Sequence, residues 1–159
     1  MQSVLFVCLG NICRSPLAQG LFEHHAAKLG LADSFDADSA GTSGWHAGEP
    51  PHSGSIRVAK KYGVSIEKQR SRPVHQKDAE IFDFVVAMDT ANRQSLQDEF
   101  RFPKEKIHLM RDFSLQNPGK KGLSVPDPWG HGEDAFEEVF SILDDAVRGL
   151  LQEINPKKS

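Results

Sequence analysis

Cys8 and Arg14 stand at the two ends of a short run, Leu9-Gly10-Asn11-Ile12-Cys13, with Ser15 next in line. A thiol and a guanidinium so placed suit one kind of chemistry, nucleophilic attack on a bound oxyanion. Gly10 and Asn11 tolerate the positive-φ conformations that turn consecutive amides inward and make an anion nest. Arg14 supplies a planar fork able to grip two oxygens of a tetrahedral anion, a geometry lysine cannot match. The same positive field favours thiolate over thiol at Cys8, and a sulfur anion beneath a bound phosphate is a nucleophile already aimed at phosphorus. Ser15 is placed to donate a hydrogen bond to that sulfur and to cap a following helix.

Such a nest needs a strand to deliver Cys8 and a helix whose N-terminus faces the anion. Residues 4–8 are a β-branched and aromatic run that reads as a buried strand, ended by Gly10 and Asn11. Beyond Ser15 and Pro16, residues Leu17, Ala18, Leu21, Phe22, His25 and Leu29 recur at helical spacing as far as Gly30. A second strand is expected at 34–39, a turn-rich loop at 40–51 and a helix at 53–62. The clearest later strand is 84–88, with Asp89 or Thr90 capping a helix to about residue 100; a weaker fourth is 107–110. Residues 112–132 carry three prolines and four glycines without periodicity and read as a long functional loop. From 134 to 154, Phe136, Val139, Phe140, Leu143, Val147, Leu150 and Leu151 form one apolar stripe, and Lys157, Lys158 and Ser159 are read as a frayed tail. Strands alternating with helices predict a three-layer α/β/α fold, its parallel sheet covered on both faces, with the phosphate-binding loop after strand 1.

A chain of 159 residues fits one domain, 1–159. An apolar share of 38%, a charged share of 26% and a net charge of −3 argue against nucleic acid or membrane insertion as the business of this protein. The opening apolar run lacks the basic flank of an export signal, so a cytoplasmic, reducing location is expected, with the two cysteines as thiols. They are too few for a disulfide framework and, with no histidine pair at ligand spacing, for a zinc cage. Four features read as ordinary surface: His24-His25 as part of a helix face without a ligand partner, Lys60-Lys61 and Lys120-Lys121 as solvated charges, and the acids between Glu133 and Glu138 as complements to a helix dipole. Trp45 and Trp129 are the only tryptophans and both fall in Gly/Pro-rich loops, which suits walls for a planar ring better than core packing. Cys13 is either a small buried hydrophobe or, the favoured reading, a disulfide partner that protects an oxidised Cys8.

The octet from Cys8 to Ser15 resembles the signature of the low-molecular-weight protein tyrosine phosphatases. Asp38-Ser39-Ala40-Gly41-Thr42-Ser43-Gly44-Trp45 is similar to the family's second segment, Ala87-Met88-Asp89 to its later strand end, and Asp127-Pro128-Trp129-Gly130 to its acid loop. The resemblance implies a four-stranded parallel sheet, tyrosine-phosphorylated proteins as substrates, inorganic phosphate as product, a phosphocysteine intermediate and no metal or other cofactor. It also implies that Asp127 is the general acid, although an Asp before a Pro is by itself more often a turn former, and that Asn11 and Ser39 brace the loop. A family histidine in that bracing network is replaced near Gln69 or Arg70, leaving its contact unassigned. Trp129 and Gly130 stand where the family commonly has two tyrosines. Alternatives on the same scaffold are a phosphoarginine phosphatase, where Thr is usual at the position of Ile12, and a thiol-dependent arsenate reductase. The latter needs relay cysteines, and none follows Cys13. A non-catalytic phosphotyrosine binder would need neither nucleophile nor acid.

Overall fold

The computed structural model describes residues 1–157. Four strands, β1 (Gln2–Cys8), β2 (Phe35–Gly41), β3 (Phe84–Ala87) and β4 (Ile107–Leu109), form one parallel sheet in the order β2-β1-β3-β4. This is the predicted four-stranded α/β/α arrangement. The helices are α1 (Arg14–Lys28), α2 (Ser53–Lys61), α3 (Asp78–Ile81), α4 (Thr90–Asp98) and α5 (Glu133–Ile154).

β1 is central, so both of its faces are covered, and Val4, Leu5, Phe6 and Val7 are fully buried. Alternation splits them: Val4 and Phe6 join Leu17, Leu21 and Phe22 of α1 and the α5 stripe, whereas Leu5 and Val7 join Val85, Leu96, Phe102 and Leu109 on the other face. Burying side chains of this size contributes roughly 1.5–3 kcal/mol each, which makes the strand that delivers Cys8 a rigid support. Every residue of the predicted α5 stripe is buried.

Several boundaries and surface readings differ from expectation. Helix α1 begins at Arg14 with Cys13 at its cap position and no side-chain cap, so Ser15 lies inside the first turn and its hydroxyl serves the sulfur instead. Of the two caps expected for α4, Asp89 is the one that serves, accepting from the Asn92 amide at 2.7 Å. The four-residue α3 was not foreseen; it is too short to show helical periodicity. His25 bonds Asp144 of α5 at 2.6 Å, and Lys61 and Tyr62 both bind Glu137, so these side chains tie helices together where solvated charges and dipole complementation were expected. Of the tail predicted to fray, residues 158–159 lie outside the described residues, and no helix among the described residues is long and apolar enough to cross a membrane.

Candidate active site

The carboxyl end of β1 passes straight into the loop, and α1 starts six residues beyond Cys8. Asn11 takes the left-handed conformation, φ 56°, as expected; Gly10 does not. Gly10 instead lies close to the wall: a Cβ there would stand 3.1 Å from the His46 ring, which would have to shift by a few tenths of an ångström. At the other side of the loop, a Cβ on Gly41 would meet the Leu9 and Ser43 carbonyls at 2.8 and 2.9 Å, so β2 ends directly against the nest. Among the described residues, the amides of Gly10, Ile12 and Cys13 donate to no protein acceptor, which leaves them for an anion.

The sulfur of Cys8 sits at the bottom, 2% exposed, 3.3 Å from the Asn11 amide and 3.0 Å from Ser15 Oγ. Asn11 fixes the direction of the second bond. Its Nδ2 donates to Ser15 Oγ at 2.7 Å and to Ser39 Oγ at 2.9 Å, so Ser15 is already an acceptor and its own proton turns to the sulfur. Two hydrogen bonds thus converge on one sulfur and fix its position at the foot of the nest.

Arg14 is 3% exposed, with Nη1 held by Asp89 Oδ2 at 2.7 Å and by the Val125 carbonyl at 2.9 Å. Burial alone would depress its guanidinium, but Cys8 and Asp89 overcome this and raise it. Among the described residues Nε and Nη2 make no hydrogen bond, and Nη2 lies 4.0 Å from Asp127. One edge of the fork is thus anchored and the other is left for oxygen atoms. Asp89 was expected only as a helix cap; its second oxygen orients the guanidinium, a role no local pattern announces.

Cys8, Leu9, Gly10, Ile12, Cys13, Arg14, Trp45, Asp127 and Trp129 line one cleft of about 230 Å³, together with His46, which sequence reasoning missed. The Asp127 side chain is half exposed, and one oxygen accepts the Trp129 amide at 3.0 Å, leaving the other on the side of Arg14. Trp45 and Trp129 are 80% and 60% exposed, at the mouth where a ring would enter. His46 Nδ1 is held by Glu49 at 2.6 Å.

The bracing contact near Gln69 or Arg70 also falls elsewhere. Gln69 bonds the Pro16 carbonyl and Arg70 the carbonyls of Glu67 and Gln69; the acceptor oxygen of Asn11 is met by the backbone amide of Arg72, at 3.0 Å.

Burial pushes the Cys13 thiol from 9.0 up to about 12, reinforced by Cys8 and Asp127. Cys13 is therefore a neutral thiol near neutral pH, and iodoacetamide is expected to leave it unmodified in the folded protein, read by fragmentation of the peptide carrying both cysteines. Because the folded value exceeds the unfolded one, the unfolded chain gives up this proton first. Stability is expected to fall as pH rises from about 9 towards 12, less steeply in Cys13→Ala, as urea titrations would show.

A parallel sheet that hands a cysteine to a nest of free amides beneath an arginine defines a phosphate-binding thiol site of the kind used in nucleophilic phosphoryl transfer. The family model described as low molecular weight phosphotyrosine protein phosphatase matches residues 3–159. The chain belongs to that family, whose members are cysteine-dependent phosphoric monoester hydrolases. It is 41% identical over 158 residues to the low molecular weight protein-tyrosine-phosphatase YfkJ of Bacillus subtilis, covering 99% of each chain. A protein tyrosine phosphatase from Entamoeba histolytica, crystallised with Hepes in its active site, superposes with a TM-score of 0.90 at 38% identity over 100% of both chains. The YwlE arginine phosphatase, at 24% identity and a TM-score of 0.85 over 99% of this chain and 98% of its own, shares the fold.

Proposed function

We propose that the protein hydrolyses phosphotyrosine in protein substrates, and small aryl phosphates, through a phosphocysteine intermediate. The observation that carries this reading is the convergence of two donors on Cys8 Sγ at the foot of a cleft that also holds the free edge of Arg14, Asp127 and two tryptophans. The phosphate enters the nest of 9–13 and the open side of the guanidinium. The Cys8 sulfur forms a bond to phosphorus as the bond to the tyrosyl oxygen breaks, and Asp127 gives that oxygen its proton. Asp127 then takes a proton from water, whose oxygen attacks phosphorus, displaces the sulfur and releases inorganic phosphate. Asp89 orients Arg14; Asn11, Ser15 and Ser39 brace the nucleophile.

Residues 1–159 are read as one domain, since one core cluster runs from Val4 to Ile154. Two thiols with no further cysteine suit a reducing, cytoplasmic setting. Tyrosine is preferred over arginine because the mouth is walled by two indoles and the loop carries Ile12 where phosphoarginine enzymes tend to have Thr. Steady-state release of phosphate from matched phosphotyrosine and phosphoarginine peptides tests this. kcat/KM for phosphotyrosine should exceed that for phosphoarginine by at least about tenfold, with Ile12→Thr narrowing the gap. A preference for phosphoarginine would reverse the assignment.

A further inference from the structure

Residues 71–74 are stitched to three parts of the cleft at once. Ser71 Oγ donates to the Gly10 carbonyl at 3.1 Å, and the Arg72 amide donates to Asn11 Oδ1 at 3.0 Å. The amide of Ser71 donates to the Glu49 carbonyl and its carbonyl accepts from Gly48, in the loop that carries Trp45 and His46. The Arg72 carbonyl accepts from Gly41, whose own carbonyl accepts from Val74, extending the end of β2.

What holds the segment is the Arg72 side chain. Its Nη1 and Nη2 meet the two oxygens of Asp78 at 3.0 and 3.3 Å, while Nε and Nη2 reach Asp38 Oδ2 of β2 at 3.1 and 3.0 Å. Asp78 is 4% exposed and accepts the His75 amide at 2.8 Å as well. A carboxylate so buried depends on its partner, and a guanidinium fork fixes orientation as well as distance. Neither aspartate lines the cleft.

We infer that Arg72, clamped between Asp78 and Asp38, is a positioning residue for the nucleophile, acting through Asn11. Its amide holds the Asn11 side chain, which fixes that residue in a left-handed conformation that asparagine tolerates but does not adopt by default. Held there, Asn11 presents its amide to Cys8 Sγ and its Nδ2 to Ser15 Oγ, so Ser15 turns its proton to the sulfur. The path from Asp78 to Cys8 runs through Arg72 and Asn11, and neither Arg72 nor Asp78 lines the cleft. This inference rests on reading Cys8 as the nucleophile.

The test compares Arg72→Ala and Asp78→Asn with the parent protein on p-nitrophenyl phosphate, with circular dichroism and melting temperature confirming that each is folded at the assay temperature. Arg72→Ala should lower kcat about tenfold or more with little change in KM, since small displacements of reacting groups are costly. It should also slow the reaction of Cys8 with iodoacetate, which must enter the same nest. In an Asn11→Ala background the further loss from Arg72→Ala should shrink to less than about twofold, because the two changes break one path. Asp78→Asn should lower kcat in the same sense, and it decides the matter should Arg72→Ala fail to fold. Unchanged kcat in the folded variants, or losses that multiply in full with Asn11→Ala, would overturn the inference while leaving the phosphatase reading intact. Turnover that survives Cys8→Ser would instead remove the reading on which it rests.

Discussion

Cys8→Ser is expected to reduce turnover of a phosphotyrosine peptide by at least about 10⁴-fold while leaving phosphate affinity equal to or tighter than that of the parent. The two halves of this result come from different atoms. Covalent attack requires the sulfur on which Asn11 and Ser15 converge with their two hydrogen bonds, and a serine hydroxyl in its place is a far weaker nucleophile. Binding depends on the unpaired amides of 10, 12 and 13 and on the open edge of Arg14, none of which the substitution touches. Removing the thiolate also removes one like charge from the neighbourhood of a bound anion. Steady-state assays for turnover and calorimetry with inorganic phosphate for affinity read the two halves separately. A variant that loses both together would show that Cys8 is a structural part of the nest.

Asp127→Ala should cost roughly 10²–10³-fold in kcat/KM, which reports the step that expels the leaving group, on a phosphotyrosine peptide and much less on p-nitrophenyl phosphate, whose phenolate leaves without a proton. The position of the carboxylate supports this asymmetry. One oxygen is tied to the Trp129 amide, and the other lies on the guanidinium side of the cleft, above the nest instead of within it. With the side chain half exposed, the group can exchange its proton with solvent between turnovers. Loss of the carboxylate leaves Arg14 with its Asp89 anchor intact, so phosphate should still bind. Matching losses on the two substrates would take the general-acid role away from Asp127.

The parts of this site that could be read from the chain are those in which chemistry and local structure coincide. A β-branched run, a glycine and asparagine, then a helical apolar period announce strand, loop and helix, and the cysteine and arginine fall at the junctions. The long α5 was legible for the same reason, its stripe keeping the helical period along a helix of 22 residues. Asp127 was different, since its surroundings favour a turn and only the resemblance marked it out. Contacts across long separations left no local trace. Asp89 reaches Arg14 over 75 positions, and its evident task as a helix cap concealed the second one. The support of Asn11 by Arg72 spans 61 positions and uses a backbone amide, a donor that every residue except proline carries. Side-chain replacement therefore points to Gln69 or Arg70, whereas the brace is the backbone of Arg72, two residues beyond Arg70. His46 escaped notice because a histidine beside a tryptophan in a turn-rich loop has no periodicity to place it. Its wall position follows only from the closeness of Gly10.

Rapid acid quenching during turnover of p-nitrophenyl phosphate, followed by mass analysis of the peptide that spans Cys8 and Arg14, tests the central claim most directly. The peptide should carry one added phosphoryl group, placed on the sulfur of Cys8 by fragmentation and absent from Cys13. Its amount should rise in Asp127→Ala, where hydrolysis of the intermediate lacks a base. A peptide that stays unmodified while phosphate is released at the full rate would contradict attack by Cys8.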